Sequence, residues 1–359
     1  MKKYLLVLTF LSVIGNAQIV RKYSNEFLNI GAGARGLAMG GAVISNQNDV
    51  YAPMWNPAGL TEVESDWQGA AMHAEYFESI AKYDYISFAK ALDSKDGVLG
   101  ISIVRLGVDN ILNTTQMIDS EGNIDYDKIS KFSTSDYAGI ISYAFRPGGN
   151  QKLSVGINAK IVYRNIGKFA NGFGFGFDVG TIYRADSGYQ IGAMLRDATT
   201  TVNFWSINQK ELSAVVNGEE FNPAPKDKME ITMPKLNLGV SKNFEINRDL
   251  ELLPEAGLNV DFAKTAAVIS TDFASISPYL GAELSFQKMI FVRAGLNRFQ
   301  TVTDIEDLKR KVSMQPSAGI GIKYKGLTLD YAITNTGIGG SNYFSNFFSL
   351  KLDMRDFRY

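Results

Sequence analysis

The sequence contains no cysteine. That excludes disulfides, thiol nucleophiles, thiolate metal sites and a lipidated N-terminal Cys. Histidine occurs once, as His73, which removes most imidazole chemistry. Charge is scarce: charged residues make up 20% of the 359 positions, against about a quarter in an ordinary globular chain. The 36 Lys and Arg nearly cancel the 37 Asp and Glu, for a net charge of −1. A nucleic-acid binder normally has a basic excess, and an acidic disordered chain a large negative one; neither fits. Long apolar runs are also missing. After the first residues, no segment reaches the ~18 apolar residues of a transmembrane helix. What is abundant is glycine, at 34, and aromatic side chains, with 22 Phe and 17 Tyr.

Residues 1–17 read as an address. Lys2 and Lys3 precede an apolar stretch from Tyr4 to Ile14, and Gly15-Asn16-Ala17 offers small residues before a cut at Gln18. This is the three-part pattern of a cleaved secretory signal; a retained membrane anchor is the alternative. An exported chain without a transmembrane helix is either a soluble secreted or periplasmic protein or an outer-membrane β-barrel.

From Trp67 onward the period is two. Leu153, Val155, Ile157, Ala159, Ile161 and Tyr163 alternate with Lys152, Ser154, Gly156, Asn158, Lys160 and Arg164. Phe173, Phe175, Phe177, Val179 and Tyr183 alternate with Gly172, Gly174, Gly176, Asp178 and Arg184. Side chains of a strand alternate faces, so each segment has one apolar and one polar face. A soluble sandwich alternates too. Three features favour a membrane barrel. Many segments approach the ~9–11 residues of a tilted spanning strand. Aromatics (Tyr76, Phe77, Tyr83, Phe145, Tyr163, Tyr183, Phe244, Phe262, Tyr324) sit near segment ends, as in an interfacial girdle. Short and long connections alternate.

The pattern predicts 14 strands, near 67–77, 83–91, 97–106, 136–146, 152–165, 172–184, 189–196, 235–244, 252–262, 277–286, 289–298, 314–324, 327–333 and 343–353. Tight turns such as Pro147-Gly148-Gly149-Asn150, Gln287-Lys288 and Lys325-Gly326 close one end; long segments (107–135, 197–234, 263–276, 299–313, 334–342) fall at the other. Short periplasmic turns against long outer loops is the outer-membrane arrangement. The polar faces, with Lys160, Arg164, Asp178, Arg184, Glu255, Asp261, Glu283, Arg293, Lys323 and Asp330, then face the lumen. Phe357-Arg358-Tyr359 resembles the terminal signal of assembled outer-membrane barrels.

Residues 18–66 are not strand-like. They contain Gly31-Ala32-Gly33-Ala34-Arg35-Gly36, a literal G-x-G-x-x-G. A dinucleotide site needs a preceding buried strand and a following helix and crossover; a β-pattern follows here instead, so small residues for close packing are the expectation. Residues 29–60 carry more. They read NIGAGARGLAMGGAVISNQNDVYAPMWNPAGL. The ARG-x-AMGGA stretch followed by WNPAGL resembles the N-terminal region of FadL-like barrels, most closely their PorV/PorQ branch in Bacteroidetes. The resemblance implies a 14-stranded barrel with residues 18–66 as a hatch in the lumen and 67–359 as the barrel. It points to Arg35, Met39, Gly40, Gly41, Trp55, Asn56, Pro57 and Gly59 as hatch residues. Asn56-Pro57 is a turn signal, and Gly59 can take positive φ. PorV itself typically has an acidic residue after its Met-Gly pair; here Met39-Gly40 precedes Gly41, which points to a PorV-like paralogue.

The implied role is non-enzymatic and without cofactor or metal: a subunit of type IX secretion in the outer membrane, linked in gliding species to motility. Its partners would be the large translocon barrel or secreted proteins with C-terminal sorting domains, within the lipid bilayer and without nucleic acid. Asp119, Tyr126, Phe204, Trp205 and Phe221, on the long outer segments, are the expected partner contacts. The hatch is either a fixed plug or a gate. The runner-up function is FadL-like uptake of hydrophobic small molecules, against which the lumen charges weigh. A surface hydrolase using His73 is a third reading; nothing in the sequence places a nucleophile beside that residue.

Overall fold

The computed structural model describes residues 25–63, 65–92, 97–119, 121–216, 219–221, 225, 228–303, 309–337 and 343–354. The leader and the terminal Phe357-Arg358-Tyr359 lie outside these residues. The wall is a closed antiparallel barrel of 14 strands. They are β1 Gln68–Tyr76, β2 Ala81–Ala91, β3 Val98–Asn113, β4 Ser130–Phe145, β5 Leu153–Ile166, β6 Ala170–Arg184, β7 Tyr189–Arg196, β8 Lys235–Lys242, β9 Leu250–Asp261, β10 Ser275–Phe286, β11 Ile290–Thr303, β12 Arg310–Tyr324, β13 Leu327–Asn335 and β14 Phe344–Asp353. Each pairs with its sequence neighbours, and β14 returns to β1, with Gln68 opposite Asp353 and Glu75 opposite Asn346. Closure leaves no unpaired edge inside a bilayer, where an unsatisfied backbone group has no water to bond.

All 14 expected strands are present. The tight turns owe their geometry to positive φ. Gln287 and Lys288 sit at φ 50 and 56, and Lys325 and Gly326 at 43 and 62, the twist that matches a two-residue hairpin. The outer ends differ from expectation. β3 and β4 run on to Asn113 and from Ser130, past a register shift between Val108 and Ile111. β11 and β12 run on to Thr303 and from Arg310, past a shift between Asn297 and Gln300. Above the membrane both faces are wet, so alternation fades from the sequence while backbone pairing continues. The segment 197–234 likewise is not simply a loop. Its strand Thr201–Ile207 pairs with the upper half of β6 and with Met229–Thr232, extending the wall above the short β7 and β8.

The outer surface is apolar: Ile101, Ile141, Ile161, Phe175, Val292 and Ile320 are all exposed. A belt of this kind is stable only against lipid. The aromatic-girdle reading needs a correction. Tyr163, Tyr183, Phe244, Phe262 and Tyr324 do face outward, but Tyr76 and Tyr83 are buried inside the barrel. Their parity along β1 and β2 directs them at the N-terminal segment, which occupies the lumen.

Candidate functional site: the plugged lumen

The plug starts at the long-loop end. Asn25 donates to Thr232 at 3.1 Å, and Glu26 pairs with Lys235 at 3.1 Å. The chain then passes through the short helix Ala34–Ala38, a turn at 44–46, the helix Ala52–Trp55 and the 3-10 turn Pro57–Glu62. It finishes at the tight-turn end, where Glu62 holds Arg146 at 2.6 Å and Arg184 at 2.7 Å.

The glycine motif wraps an indole. A Cβ on Gly31 would lie 2.3 Å from the Trp55 ring, one on Gly36 2.8 Å, and one on Gly41 3.3 Å. Gly31 and Gly41 also have φ of 90 and 81, which side chains rarely adopt. The Trp55 Nε1 donates to the Ala32 carbonyl at 2.7 Å. The G-x-G-x-x-G thus serves close packing, Gly31 and Gly36 against Trp55 and Gly33 against the Tyr51 ring.

The WNPAG residues close the other half. Asn56 Nδ2 donates to the Ile44 carbonyl at 2.9 Å and the Thr181 carbonyl at 3.0 Å; its Oδ1 accepts from Ala58 at 3.2 Å, capping the 3-10 turn. One amide therefore ties the plug to itself and to β6. Pro57 supplies the pre-set φ of a first helical position. Gly59 is needed for a reason other than the expected one. It is not among the positive-φ glycines; a Cβ there would meet the Gln47 carbonyl at 2.0 Å.

The wall matches the plug with glycines of its own. A Cβ on Gly156, Gly180, Gly192, Gly281 or Gly295 would lie 2.1–2.3 Å from plug atoms: Ala58, Asn56, Ile44 and, for the last two, Met39. Met39 is fully buried there, and Asn297 donates to the Gly40 carbonyl at 2.9 Å. On β1 and β2 the contact is made by side chains instead: Met72, Tyr83, Tyr85 and Ser87, with Ser87 donating to the Val50 carbonyl at 3.0 Å.

Three charged groupings lock the plug. Glu255 on β9 is buried and accepts from Ile44 N at 2.7 Å, Ser45 N at 3.0 Å, Ser45 Oγ at 2.5 Å and Asn46 Nδ2 at 2.8 Å. A carboxylate holding four donors is a strong, charge-assisted clamp. Arg35 reaches Glu283 at 2.9 Å; Glu283 is held also by Arg293 at 2.6 Å, and Arg293 by Asp330 at 2.7 Å. On the tight-turn side Asp49 pairs with Lys351 at 2.7 Å and accepts from Tyr51 N at 3.0 Å. Burial alone would raise the Asp49 pKa, but Lys351 and the backbone hydrogen bond outweigh it and hold the carboxyl below its usual range.

Among the described residues, a cavity lies on each side of the plug. One of about 380 Å³ opens toward the tight turns, between Arg35, Asp49, Glu62, Arg293, Lys323 and Lys351. The other, about 430 Å³, lies toward the long loops. Its apolar lining comes from Ile30, Leu37, Trp55, Tyr76 and Phe347; its remaining lining includes Arg196, Asn237, Asp261 and Arg298. The expected hatch residues therefore converge.

The expected loop contacts do not. Asp119 is used locally: it accepts from Glu121 N and Asn123 N, both at 2.9 Å, to hold a turn. Tyr126 is 70% exposed at the rim, as a partner contact needs. Phe204 and Trp205 are on the strand Thr201–Ile207 and point to opposite faces. Phe204 lies on the outer surface beside Phe173, whereas Trp205 turns in under the Arg164 guanidinium, 5.2 Å away. Phe221 ends the short hairpin strand Glu219–Phe221. His73 is on the outer face of β1, with Nδ1 2.7 Å from Asp84 and Nε2 3.3 Å from Glu75. The Glu255 clamp was missed as a site; only its inward parity and a gap in apolar alternation signalled it.

No protein-family model matches the sequence, and no curated protein does. Solved structures do match in fold. The toluene transporter TbuX of Ralstonia pickettii superposes with a TM-score of 0.55 at 14% identity, covering 90% of this chain and 98% of the other. The toluene transporter TodX of Pseudomonas putida gives 0.56 at 14%, covering 89% and 96%. A FadL homologue of Pseudomonas aeruginosa gives 0.51 at 10%, covering 90% and 98%. The chain therefore has the fold of these FadL-like β-barrels.

Proposed function

We propose that this barrel is a non-enzymatic subunit associated with type IX protein secretion, acting through partner contacts rather than through an open pore. The observation that carries the reading is the plug. The residues that resemble the PorV/PorQ branch are those that wrap Trp55 and cap the 3-10 turn, and the wall is cut back to glycine to receive them. Moving such a plug means uncovering the four donors on Glu255 and the Arg35–Glu283 pair together. A closed lumen leaves the rim and the outer wall as working surfaces. The exported leader and a PorV-like paralogue role belong to the same reading.

A second reading, uptake of small molecules, has its own support, and the structural neighbours favour it over secretion. Two of the compared structures are toluene transporters. The cavity on the loop side of the plug also combines apolar Ile30, Leu37, Trp55, Tyr76 and Phe347 with a polar remainder, the lining of an amphiphile site. The polar, charged chamber below the plug weighs against a continuous apolar path.

The experiment is recovery of the tagged protein from its own envelope in mild detergent, with co-purifying proteins identified by mass spectrometry. A large translocon barrel, or secreted proteins with C-terminal sorting domains, is the expected result, reduced by Tyr126→Ala. Recovery of the barrel alone with bound hydrophobic molecules overturns secretion in favour of uptake.

A further inference from the structure

Neither rim contacts nor the uptake of hydrophobic molecules uses the chamber on the tight-turn side of the plug. Among the described residues, this cavity of about 380 Å³ is lined by six basic and five acidic side chains; Leu253, Phe291 and Tyr51 are its apolar and aromatic minority. Its volume is that of a small-molecule site, ~300–1,000 Å³. Its chemistry is that of a polar one.

Most of its charges are matched within the protein. Glu283 takes Arg35 and Arg293, Asp330 takes Arg293, Asp49 takes Lys351, Glu62 takes Arg184 and Glu251 takes Lys288. Three buried polar atoms on the lining residues are not matched. Arg35 donates through Nε to Glu283 and through Nη2 to Asn46, each at 2.9 Å, and leaves Nη1 without a partner. Gln47 donates through Nε2 to Asp49 at 2.5 Å and leaves Oε1 without a donor. Ser285 stands two positions beyond Glu283 on the same inward face of β10, and its Oγ has no partner. Gln47 is 2% exposed and Ser285 8%. Native proteins pair nearly all such atoms, so each exception calls for an explanation. The clamps on the plug do not use these three.

We infer that this chamber is a binding site for an amino acid or short peptide, held by its free carboxylate and its N–H groups. Arg35 Nη1 and the Ser285 hydroxyl are donors. They belong to the side formed by β10–β12, where Arg293 and Lys323 also line the cavity. A carboxylate is the acceptor that such donors hold best, because the bonds are charge-assisted. Gln47 Oε1 is an acceptor beside Asp49, and it fits an ammonium or amide N–H. A lining of both signs in near balance selects a zwitterion. Five carboxylates would repel a simple anion, and a hydrocarbon would leave the charges without solvation. The serine hydroxyl can turn about χ1 to meet a ligand without any backbone movement. The site is entered from the tight-turn side and needs no path through the plug. It stands apart from the secretion reading.

The test is calorimetric titration of the purified full-length barrel in detergent. The probes are L-alanine, L-alanyl-L-alanine and L-alanyl-L-alaninamide. The expected result is saturable binding of alanine or alanylalanine with a Kd of about 1 mM or tighter. The amide keeps the N–H donors but lacks the carboxylate, and should bind at least tenfold more weakly. Binding of alanine alone assigns the free amino acid, and binding of alanylalanine alone assigns the peptide; each supports the inference. Ser285→Ala removes a hydroxyl that bonds nothing in the protein, so the barrel should keep its melting temperature. The same change should weaken the carboxylate probe at least threefold. No saturation by either carboxylate probe at ten times the expected Kd, equal binding of the amide, or unchanged affinity in Ser285→Ala would each overturn the inference. Failure here leaves the secretion reading untouched, since that reading is decided by the proteins that co-purify from the envelope.

Discussion

The plug meets the two sides of the barrel in different ways. Against β5–β7 and β10–β11 the wall contributes glycine, and the plug's backbone and its Asn56 lie on the wall itself. Against β1 and β2 the wall contributes Met72, Tyr83, Tyr85 and Ser87. At its glycines the first seam has no wall side chain that can change rotamer, so it has little slack there. The second is built from side chains that can repack. A plug fixed on one side and cushioned on the other is set in position by the glycine side. Any displacement would therefore go toward β1 and β2.

The largest expected effect is removal of the plug's own anchor. Trp55→Ala empties the ring formed by Gly31, Gly36 and Gly41, and should cost about 3–5 kcal/mol, the usual range for a buried Trp. Hydrogen exchange of residues 31–41 should rise steeply while the barrel's circular dichroism stays β-rich. Unchanged protection would mean that the indole does not hold the plug. Next comes the glycine seam. Gly156→Ala and Gly295→Ala each press a methyl into plug backbone and should cost ~1–3 kcal/mol as overpacking, read as a lower melting temperature in detergent. If Gly295→Ala melts like the parent, the seam has slack and the comparison fails.

Acid should loosen the plug at its tight-turn end. The folded pKa of Asp49 is held below the unfolded value of ~3.9, with Lys351, Arg35 and the Tyr51 backbone favouring the charged form. Its stabilisation is full above the unfolded pKa and is lost as pH falls through the folded one. Plug protection should therefore be flat between about pH 5 and 8 and decline below about pH 4, and Asp49→Asn should remove its share of that decline. A decline already complete at pH 6 would assign it to another group. The smallest effect is on the cushioned side. Tyr85→Phe removes the hydroxyl's contacts to Ser102 at 2.9 Å and to the Val50 carbonyl at 3.4 Å, together worth ~1 kcal/mol. A loss as large as that from Gly295→Ala would erase the difference between the seams.

The strands were legible because a barrel wall with lipid outside and polar contents inside forces period-two alternation. The turns were legible because Gly-Gly and Lys-Gly mark hairpin geometry. Alternation gives two faces but not which is inside, and local exceptions mislead. Tyr76 and Tyr83 read as girdle residues and proved to be lumen residues; His73 sits one position off Met72 in β1 and therefore faces out. The hatch residues were legible as a motif, but the need for Gly59 came from Gln47 across the plug, not from its own φ. The loop contacts were read least well. Phe204 and Trp205 belong to a strand that continues the wall, and pairing above the membrane leaves little trace in residue type.

The sequence by itself determined the number of strands, their order and the side on which the long connections lie. Those follow from local alternation and turn chemistry, which each segment carries within itself. Only the tertiary structure decided that glycines on β5–β7 and β10–β11 receive the plug, that Glu255 clamps its turn, and that Arg35, Gln47 and Ser285 line one cavity. Each of these joins residues distant in the chain. Their meeting is set by barrel register and closure, which no local pattern records.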